Sequence, residues 1–195
     1  VIPFEEFFTL LANKKFPAAT FIRTPEDIDY LQEPDIFHEI FGHCPLLTNP
    51  VFADFSEQYG KLGVKASKKE RIYLARIFWF TVEFGLIETA KGLRIYGAGI
   101  LSSKGESEYA LESHVPERRP FDALTILRTP YRIDIFQTIY YVIQNFQDIF
   151  SVMNESIMPL LHEAMELGNF APTYPLKSRS DAVEIANSAT KSHPC

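Results

Sequence analysis

The stretch Asp35-Ile36-Phe37-His38-Glu39-Ile40-Phe41-Gly42-His43 places two histidines and a glutamate in an otherwise apolar run. Imidazole and carboxylate groups are common protein ligands of zinc and iron. His38 and His43 are therefore candidate metal ligands, and a metal site would need a third ligand from elsewhere in the chain. For this pair alone, the alternative of two unrelated histidines, one of them a hydrogen-bonded core residue, stays open.

The spacing of the two histidines is unusual for a helix. Five residues of an ideal α-helix correspond to about 140° of rotation at ~100° per residue, so His38 and His43 would not share a face. Both can bind one ion only if the helix tightens, bulges or ends between them, and Gly42 and Pro45 supply such an ending. The spacing is also one residue longer than that of the His-Glu-x-x-His helix of zinc proteases.

Glu83 is the candidate third ligand, because it lies between Val82 and Phe84 in a segment that is apolar on nearly every side. A buried ionised carboxylate is strongly disfavoured unless it is paired or bound to a metal. Two histidines and one carboxylate form the facial triad of non-haem Fe(II) oxygenases, and the same set holds catalytic zinc in hydrolases. The alternative is a structural salt bridge from Glu83 to one of three basic side chains: Arg71, Arg76 or Lys91.

Composition disfavours several classes of protein. The 195-residue chain is 46% hydrophobic and has a formal net charge of −6, so a sizeable core is expected and nucleic acid is a poor partner. Two cysteines, Cys44 and Cys195, form no disulfide framework and suit a reducing compartment. The sequence shows neither a signal-peptide profile nor an apolar run that could span a bilayer. We therefore expect a cytoplasmic protein that binds neither nucleic acid nor membranes.

Hydrophobic periodicity predicts a mainly α (α+β) domain with one small β-hairpin. The longest helix is expected over residues 68–90, opened by a capping box of Ser67 and Glu70. Other helical segments are expected over residues 4–12, 24–27, 34–42, 50–60, 105–111, 121–127 and 140–167. Short strands are expected within residues 92–103 and 131–138, a loop over 61–66 and a turn over 116–120.

Three stretches, in matching order and spacing, resemble the signatures of the pterin-dependent aromatic amino acid hydroxylases. They are residues 29–45, which contain both histidines, residues 78–86, which contain Glu83, and residues 96–103. The resemblance runs from about residue 1 to residue 150 and is much weaker beyond. The Leu-Gln-Glu-Pro-Asp wording of residues 31–35 is most similar to prokaryotic members that hydroxylate phenylalanine.

The resemblance implies a basket-like, mostly helical catalytic domain of the aromatic amino acid hydroxylase fold. It implies that His38, His43 and Glu83 bind Fe(II), and that tetrahydrobiopterin is the co-substrate in the conversion of L-phenylalanine and O₂ to L-tyrosine. Three other functions stay open: hydroxylation of tryptophan or tyrosine, a zinc hydrolase with the same ligands, and a metal-stabilised binding module without catalysis.

The resemblance also implies residues for the substrate. Arg23 matches the arginine that holds the substrate carboxylate, and Asp35 matches the acid that orients that arginine. Trp79 matches the aromatic residue that packs against the substrate ring, with plain core packing as the alternative. Gly99 and Ser102 match the loop that lines the substrate pocket, where Ser102 can hydrogen-bond a ligand or an iron-bound histidine.

On the pterin side, Phe7 matches a stacking aromatic residue, and Ala75 and Phe78 match positions in the pocket wall. Glu39 matches an acid near the iron that could reach a bound water, so it is both a candidate catalytic residue and a candidate pterin contact. Its alternative role is that of a solvated helix residue. Some family members have tyrosine where Phe78 stands, and Leu31-Gln32 replaces a Thr-Pro pair of the animal enzymes.

The domain organisation follows from the same resemblance. Residues 1–176 are expected to form the catalytic domain, the usual N-terminal part of which is missing from this sequence, and residues 177–195 a polar tail. The tail lacks the heptad-patterned leucines that tetramerise animal members, so we expect a monomer or weak dimer. The expected partners are small molecules: L-phenylalanine, O₂ and the tetrahydropterin.

Overall fold

A computed structural model of the chain describes residues 2–29 and 33–176, and most of its regular structure is helical. The mainly α prediction is therefore confirmed. The predicted tail, residues 177–195, lies outside the described residues, as does the Leu31-Gln32 pair. The α-helices are α1 (Phe4–Ala12), α2 (Cys44–Leu47), α3 (Pro50–Lys65), α4 (Lys68–Phe78), α5 (Ala98–Leu101), α6 (Lys104–Glu112), α7 (Ala123–Arg128), α8 (Phe146–Glu155) and α9 (Ile157–Leu167).

Three further helical segments are not α-helical. A short 3₁₀ turn covers Pro25–Asp27, where a helix start was expected. The segments His38–His43 and Trp79–Glu83 are π-helices, and they carry the three candidate metal ligands. The capping box of Ser67 and Glu70 at the start of α4 is present as predicted.

Within the described residues, four strands form one mixed sheet, which is larger than the predicted hairpin. The strands are β1 (Gly85–Thr89), β2 (Gly92–Ile95), β3 (Glu117–Pro120) and β4 (Ile139–Ile143), in the spatial order β2-β1-β4-β3. β1 and β2 form the antiparallel hairpin, whereas β4 runs parallel to both β1 and β3. The predicted turn over residues 116–120 is wrong, because residues 117–120 form β3. Proline is tolerated in this strand because β3 lies at the edge of the sheet, where one side needs no backbone N–H.

Two predicted segments were assigned the wrong type. Residues 131–138 are irregular rather than a strand. The strand β4 begins at Ile139 and takes up the first residues of the helix predicted over 140–167. All but one of the residues of β4 are buried, so the strand has no polar alternation by which its period could be read. The rest of that predicted helix is divided at Ser156 into α8 and α9.

The helix predicted over residues 68–90 ends earlier. It is α-helical to Phe78, continues as the π-helix Trp79–Glu83 and then turns into β1. Gly85 permits this turn, because a Cβ atom there would lie 2.1 Å from Cζ of Tyr96. The β-forming residues that follow then pair with β2 and β4.

Helix α3 is longer than predicted and continues to Lys65, so it replaces nearly all of the loop expected over residues 61–66. α1 packs against α3 at Gly60 and Gly63. A Cβ atom on Gly60 would lie 2.3 Å from the Ala12 nitrogen, and one on Gly63 would lie 1.9 Å from Cδ1 of Phe8. These glycines lower helix propensity but allow the two helices to pack closely. In the part of the chain described, no helix combines the length and apolar character needed to cross a membrane.

Candidate metal centre and adjoining pocket

The π-helical geometry explains the five-residue spacing of the histidines. The Cys44 N–H donates to the carbonyl of Glu39, and the Phe84 N–H donates to the carbonyl of Trp79 at 2.9 Å, both across five residues. In such a widened turn, residues five apart lie above one another, so His38 and His43 share a face. Of the three possibilities, the structure shows a bulge. The helix ending expected at Gly42 and Pro45 is wrong, because the chain continues as helix through His43 into α2.

The three candidate ligand side chains converge on one point. Nε2 of His38 lies 2.9 Å from Nε2 of His43, and the Glu83 carboxylate oxygens lie 3.2 Å from His43 Nε2 and 3.5 Å from His38 Nε2. Two ligands bound at ~2.1 Å and at right angles are ~3 Å apart, so these separations fit three neighbouring positions around one ion. The donor set and its geometry therefore fit a facially bound metal.

Ser102 determines which nitrogen of His38 carries the proton. The Ser102 hydroxyl donates its only hydrogen to the carbonyl of Ala98 at 2.8 Å, so at 2.8 Å from His38 Nδ1 it must accept. His38 is then protonated on Nδ1, and its Nε2 lone pair faces His43 and Glu83. This is the arrangement in which an outer hydrogen bond orients a metal-binding imidazole.

The electrostatics of the cluster also suit metal binding. Burial lowers the pKa of His38, which favours the neutral imidazole. Burial raises the pKa of Glu83, but the facing histidines and the Gly99 backbone outweigh this effect and hold the pKa below its ordinary value. Both groups are therefore deprotonated near neutral pH, as metal ligands must be.

The alternative role for Glu83, a salt bridge to a basic residue, finds no support in the described residues. The Arg76 guanidinium donates to the carbonyl of Leu127 and, at 2.8 Å, to the side-chain oxygen of Asn169. Arg71 donates to the carbonyls of Gly63 and Val64, and Lys91 is exposed. The ionic contacts of Glu83 are with His38 and His43.

Arg23 and Asp35 form a buried ion pair beside the histidines. The Nε and Nη2 atoms of Arg23 donate to the two Asp35 oxygens at 2.9 and 2.8 Å, and Nη1 donates to the carbonyl of Ser102. Asp35 also accepts from the backbone N–H groups of Arg23 and His38. Burial alone would raise the pKa of Asp35, but the hydrogen bonds that it accepts outweigh this effect and hold its pKa well below the usual range. Three of the five guanidinium N–H donors are used in these bonds, and one each on Nη1 and Nη2 remains for a ligand.

Aromatic residues from distant segments surround His43. Phe7 packs edge-on against Phe78 with ring centroids 5.3 Å apart, and Phe78 lies 6.5 Å from the His43 ring. Phe16, which the sequence did not indicate, lies 4.4 Å from the same imidazole. Ala75 is half-buried on α4, one turn before Phe78. The structure thus brings the predicted pterin residues Phe7 and Phe78 together next to the metal cluster.

Glu39 is buried, so its predicted alternative as a solvated helix residue is wrong. Only 7% of its surface is exposed, and one carboxylate oxygen, Oε2, has no hydrogen-bond partner among the described residues. Burial raises the pKa of Glu39 to about 7. The free oxygen can accept a hydrogen bond from a ligand or water near His43.

Trp79 begins the π-helix that ends at Glu83, and Gly99 lies next to the end of that helix. The Trp79 ring lies 4.5 Å from the rings of both Phe84 and Tyr131. A Cβ atom on Gly99 would lie 2.8 Å from Cζ of Phe84 and 3.1 Å from the carbonyl of Glu83. Helix α5 can therefore approach the second π-helix, which ends at Glu83, only with glycine at position 99.

Glu106 is a buried acid that Gln137 links to Trp79, and it should make the stability of the fold depend on pH. Its Oε1 accepts hydrogen bonds from the Gln137 backbone N–H and the Tyr140 hydroxyl, but burial still raises its pKa from 4.5 to about 7. The folded state therefore binds the carboxyl proton of Glu106 more tightly than the unfolded state does. The stabilisation of the fold by this proton is complete below about pH 4.5 and is lost as the pH rises through about 7. Glutamine does not titrate, so we expect the free energy of unfolding of Glu106→Gln to rise by up to about 3 kcal/mol relative to that of wild type between pH 4.5 and 8.

Denaturant unfolding followed by circular dichroism across that pH range measures this difference. Glu108→Gln, an exposed change on the same helix, serves as the control and should show no pH-dependent gain. A Glu106→Gln difference from wild type that stays constant with pH would contradict a protonated Glu106.

The chain belongs to the biopterin-dependent aromatic amino acid hydroxylases, because the profile of that family matches residues 2–175. Curated relatives agree with this assignment. The chain is 61% identical to a phenylalanine-4-hydroxylase of Pseudomonas aeruginosa over 177 residues, and 53% identical to one of Vibrio cholerae over 182 residues. The matches cover 91% and 93% of this chain but 67% and 63% of those proteins. The chain thus spans about two thirds of their length.

Solved structures confirm the predicted fold. The phenylalanine hydroxylase of Colwellia psychrerythraea superposes with a TM-score of 0.86 at 56% identity, covering 91% of this chain and 69% of that one. The Chromobacterium violaceum phenylalanine hydroxylase with bound oxidised Fe(III) superposes with a TM-score of 0.84 at 49% identity, covering 92% and 65%. The domain therefore has the aromatic amino acid hydroxylase fold, and its three candidate metal ligands fit iron.

Proposed function

We propose that the protein containing this chain converts L-phenylalanine and O₂ to L-tyrosine, using Fe(II) and tetrahydrobiopterin. The observation that carries the proposal is the convergence of His38, His43 and Glu83 next to the Arg23–Asp35 pair, with Ser102 bonded to both groups. The names of the bacterial relatives support phenylalanine as the substrate.

Arg23 would bind the substrate carboxylate through its two remaining N–H donors, while Asp35 holds the guanidinium in place. Trp79 would pack against the aromatic ring, and Gly99 lets α5 approach the π-helix Trp79–Glu83 closely at the edge of this pocket. These contacts orient the ring toward the three-ligand face and exclude water from it.

The pterin would lie on the side of Phe7, Ala75 and Phe78. The apolar rings suit a planar heterocycle, and the free Glu39 oxygen can accept a hydrogen bond from one of its N–H groups or hold a proton near the metal. When bound, iron would supply the binding site for O₂, and the tetrahydropterin would supply two of the four electrons that reduce O₂, the other two coming from the substrate ring.

Two finer predictions concern the protein as a whole. A monomer or weak dimer remains our prediction for the oligomeric state. A cytoplasmic location is supported by the exposed, unpaired thiol of Cys44, which suits a reducing compartment.

A turnover assay tests the proposal. Iron-loaded protein with tetrahydrobiopterin and O₂ is expected to form tyrosine from phenylalanine, and more slowly to hydroxylate tryptophan or tyrosine. Zinc-loaded protein serves as the control and should be inactive, because zinc has no redox chemistry. Failure of folded, iron-loaded protein to hydroxylate phenylalanine would reject the proposal, and faster tryptophan or tyrosine hydroxylation would reassign the substrate within the family.

A further inference from the structure

Gln137 lies in the irregular segment 131–138, is buried, and uses its side-chain oxygen, both side-chain N–H groups and its backbone N–H in hydrogen bonds. Its side-chain oxygen accepts from the indole N–H of Trp79 at 2.9 Å. Its amide nitrogen donates to the carbonyls of Arg132 and Ile135 at 2.9 and 3.1 Å. Its backbone N–H donates to Glu106 at 2.9 Å.

These bonds fix the orientation of the Gln137 amide. The two backbone carbonyls can only accept, so the NH₂ group must face them, and the indole N–H can only donate, so the oxygen must face Trp79. A flipped amide would break all three side-chain bonds. Gln137 therefore acts as a rigid acceptor that holds the indole at one point.

Ring packing alone does not fix the indole in this way. Tyr131 stacks on Trp79 with an interplanar angle of 16°, and Phe84 lies on it at 37°. Such contacts let a ring slide or turn within its plane at little cost, because they are not directional. The hydrogen bond to Gln137 is directional and removes this freedom.

The anchor of Gln137 is connected to the rest of the site. Glu106, which accepts from the Gln137 backbone, lies on α6, and the N-cap of α6 is Ser103. The neighbouring residue Ser102 is the one that contacts both His38 and Arg23. The start of α6 and the residue before its N-cap are thus connected by hydrogen bonds to His38, to Arg23 and, through Gln137, to the indole of Trp79.

We propose that Gln137 is a positioning residue that fixes the plane of Trp79 and thereby sets which aromatic ring the substrate pocket accepts. The inference rests on the proposed function in one respect, that the substrate ring packs against Trp79. Gln137 itself does not have to touch the substrate. Its effect is on the affinity for the ring and on ring-size preference.

The experiment compares wild type with Gln137→Met, which keeps the length of the side chain and removes both the acceptor and the donors. Gln147→Met, an exposed change on α8, is the matched control. Trp79 is the only tryptophan of the sequence, so ultraviolet resonance Raman spectroscopy of this chain reads the hydrogen bonding of one indole. Calorimetry of the iron-loaded protein without pterin measures the affinity for phenylalanine and tryptophan independently of turnover.

We expect the indole band of Gln137→Met to move to the position of a free N–H. The affinity for phenylalanine should fall about ten-fold, and the ratio of phenylalanine to tryptophan affinity should change at least about five-fold. In turnover, KM should rise with little change in kcat. An unchanged indole band would overturn the inference, and so would a shifted band with unchanged affinities and ring preference.

A second variant keeps the inference testable if Gln137→Met does not fold. Benzothienylalanine incorporated at position 79 replaces the indole N–H by sulfur and leaves Gln137 in place. The same losses are expected, and wild-type affinities in this variant would overturn the inference. Wild-type protein that binds phenylalanine without hydroxylating it would refute the proposed function alone, because the affinity measurements still test Gln137.

Discussion

Replacing Glu83 by alanine is expected to abolish iron retention while the protein stays folded. The two histidines alone would leave the ion with two neutral ligands and no negative charge. Loss of an outer hydrogen-bond partner of a metal ligand typically weakens metal binding ~10- to 100-fold, so loss of a ligand should weaken it at least about 100-fold. Ser102→Ala, which removes the outer partner of His38, should fall within that smaller range.

Iron content after gel filtration and titration with Fe(II) measure both effects, and circular dichroism reports the fold. Glu88→Gln is a suitable control, since Glu88 is an exposed acid on β1, the strand that follows Glu83. The control should retain iron as wild type does. If Glu83→Ala retained iron as well, the three-ligand assignment would be wrong, although the family membership of the chain would stand.

The candidate ligand residues can be selected from the sequence because their chemistry is conspicuous against apolar neighbours. The geometry that lets them act together could not be predicted. The π-helix of His38–His43 packs against α5, where a Cβ atom on Gly42 would lie 2.7 Å from that of Ala98. That contact joins segments far apart in the chain, and no local pattern reports it.

The errors in the fold have a related cause. β4 is buried on both faces, and β1 is buried where it follows the π-helix, so neither shows the alternation that marks a half-buried strand. Helix α3 contains Gly60 and Gly63, which indicate a break by propensity but serve as the contact surface for α1. In each case tertiary packing outweighs the local preference of the residues.

Two residues of the site carried little or no signal in the sequence. Phe16 is one of 17 phenylalanines, and only the structure places it 4.4 Å from His43. Gln137 carried a weak signal, as a polar residue between Phe136 and the apolar run that becomes β4. Its contacts with Trp79 and Glu106 join residues far apart in the chain.

Arg23→Lys is expected to raise KM for phenylalanine about 10- to 100-fold with kcat changed far less. Lysine keeps the positive charge but cannot bind both Asp35 oxygens and a substrate carboxylate together, as the guanidinium can. Loss of hydrogen bonds to a charged group costs about 1.5–3 kcal/mol. The carboxylate lies away from the reacting carbon, so this binding energy should be lost equally in the ground state and the transition state.

Phenylalaninol, which keeps the amine and ring of phenylalanine but lacks the carboxylate, isolates the contact. Wild type should bind phenylalaninol poorly. Arg23→Lys should bind phenylalanine and phenylalaninol with similar, weak affinity, because the variant lacks the guanidinium that recognises the carboxylate. Arg94→Lys, an exposed change on β2, should behave as wild type. If Arg23→Lys kept the full preference for phenylalanine over phenylalaninol, the substrate carboxylate would have to bind elsewhere, and the Arg23–Asp35 pair would serve the fold alone.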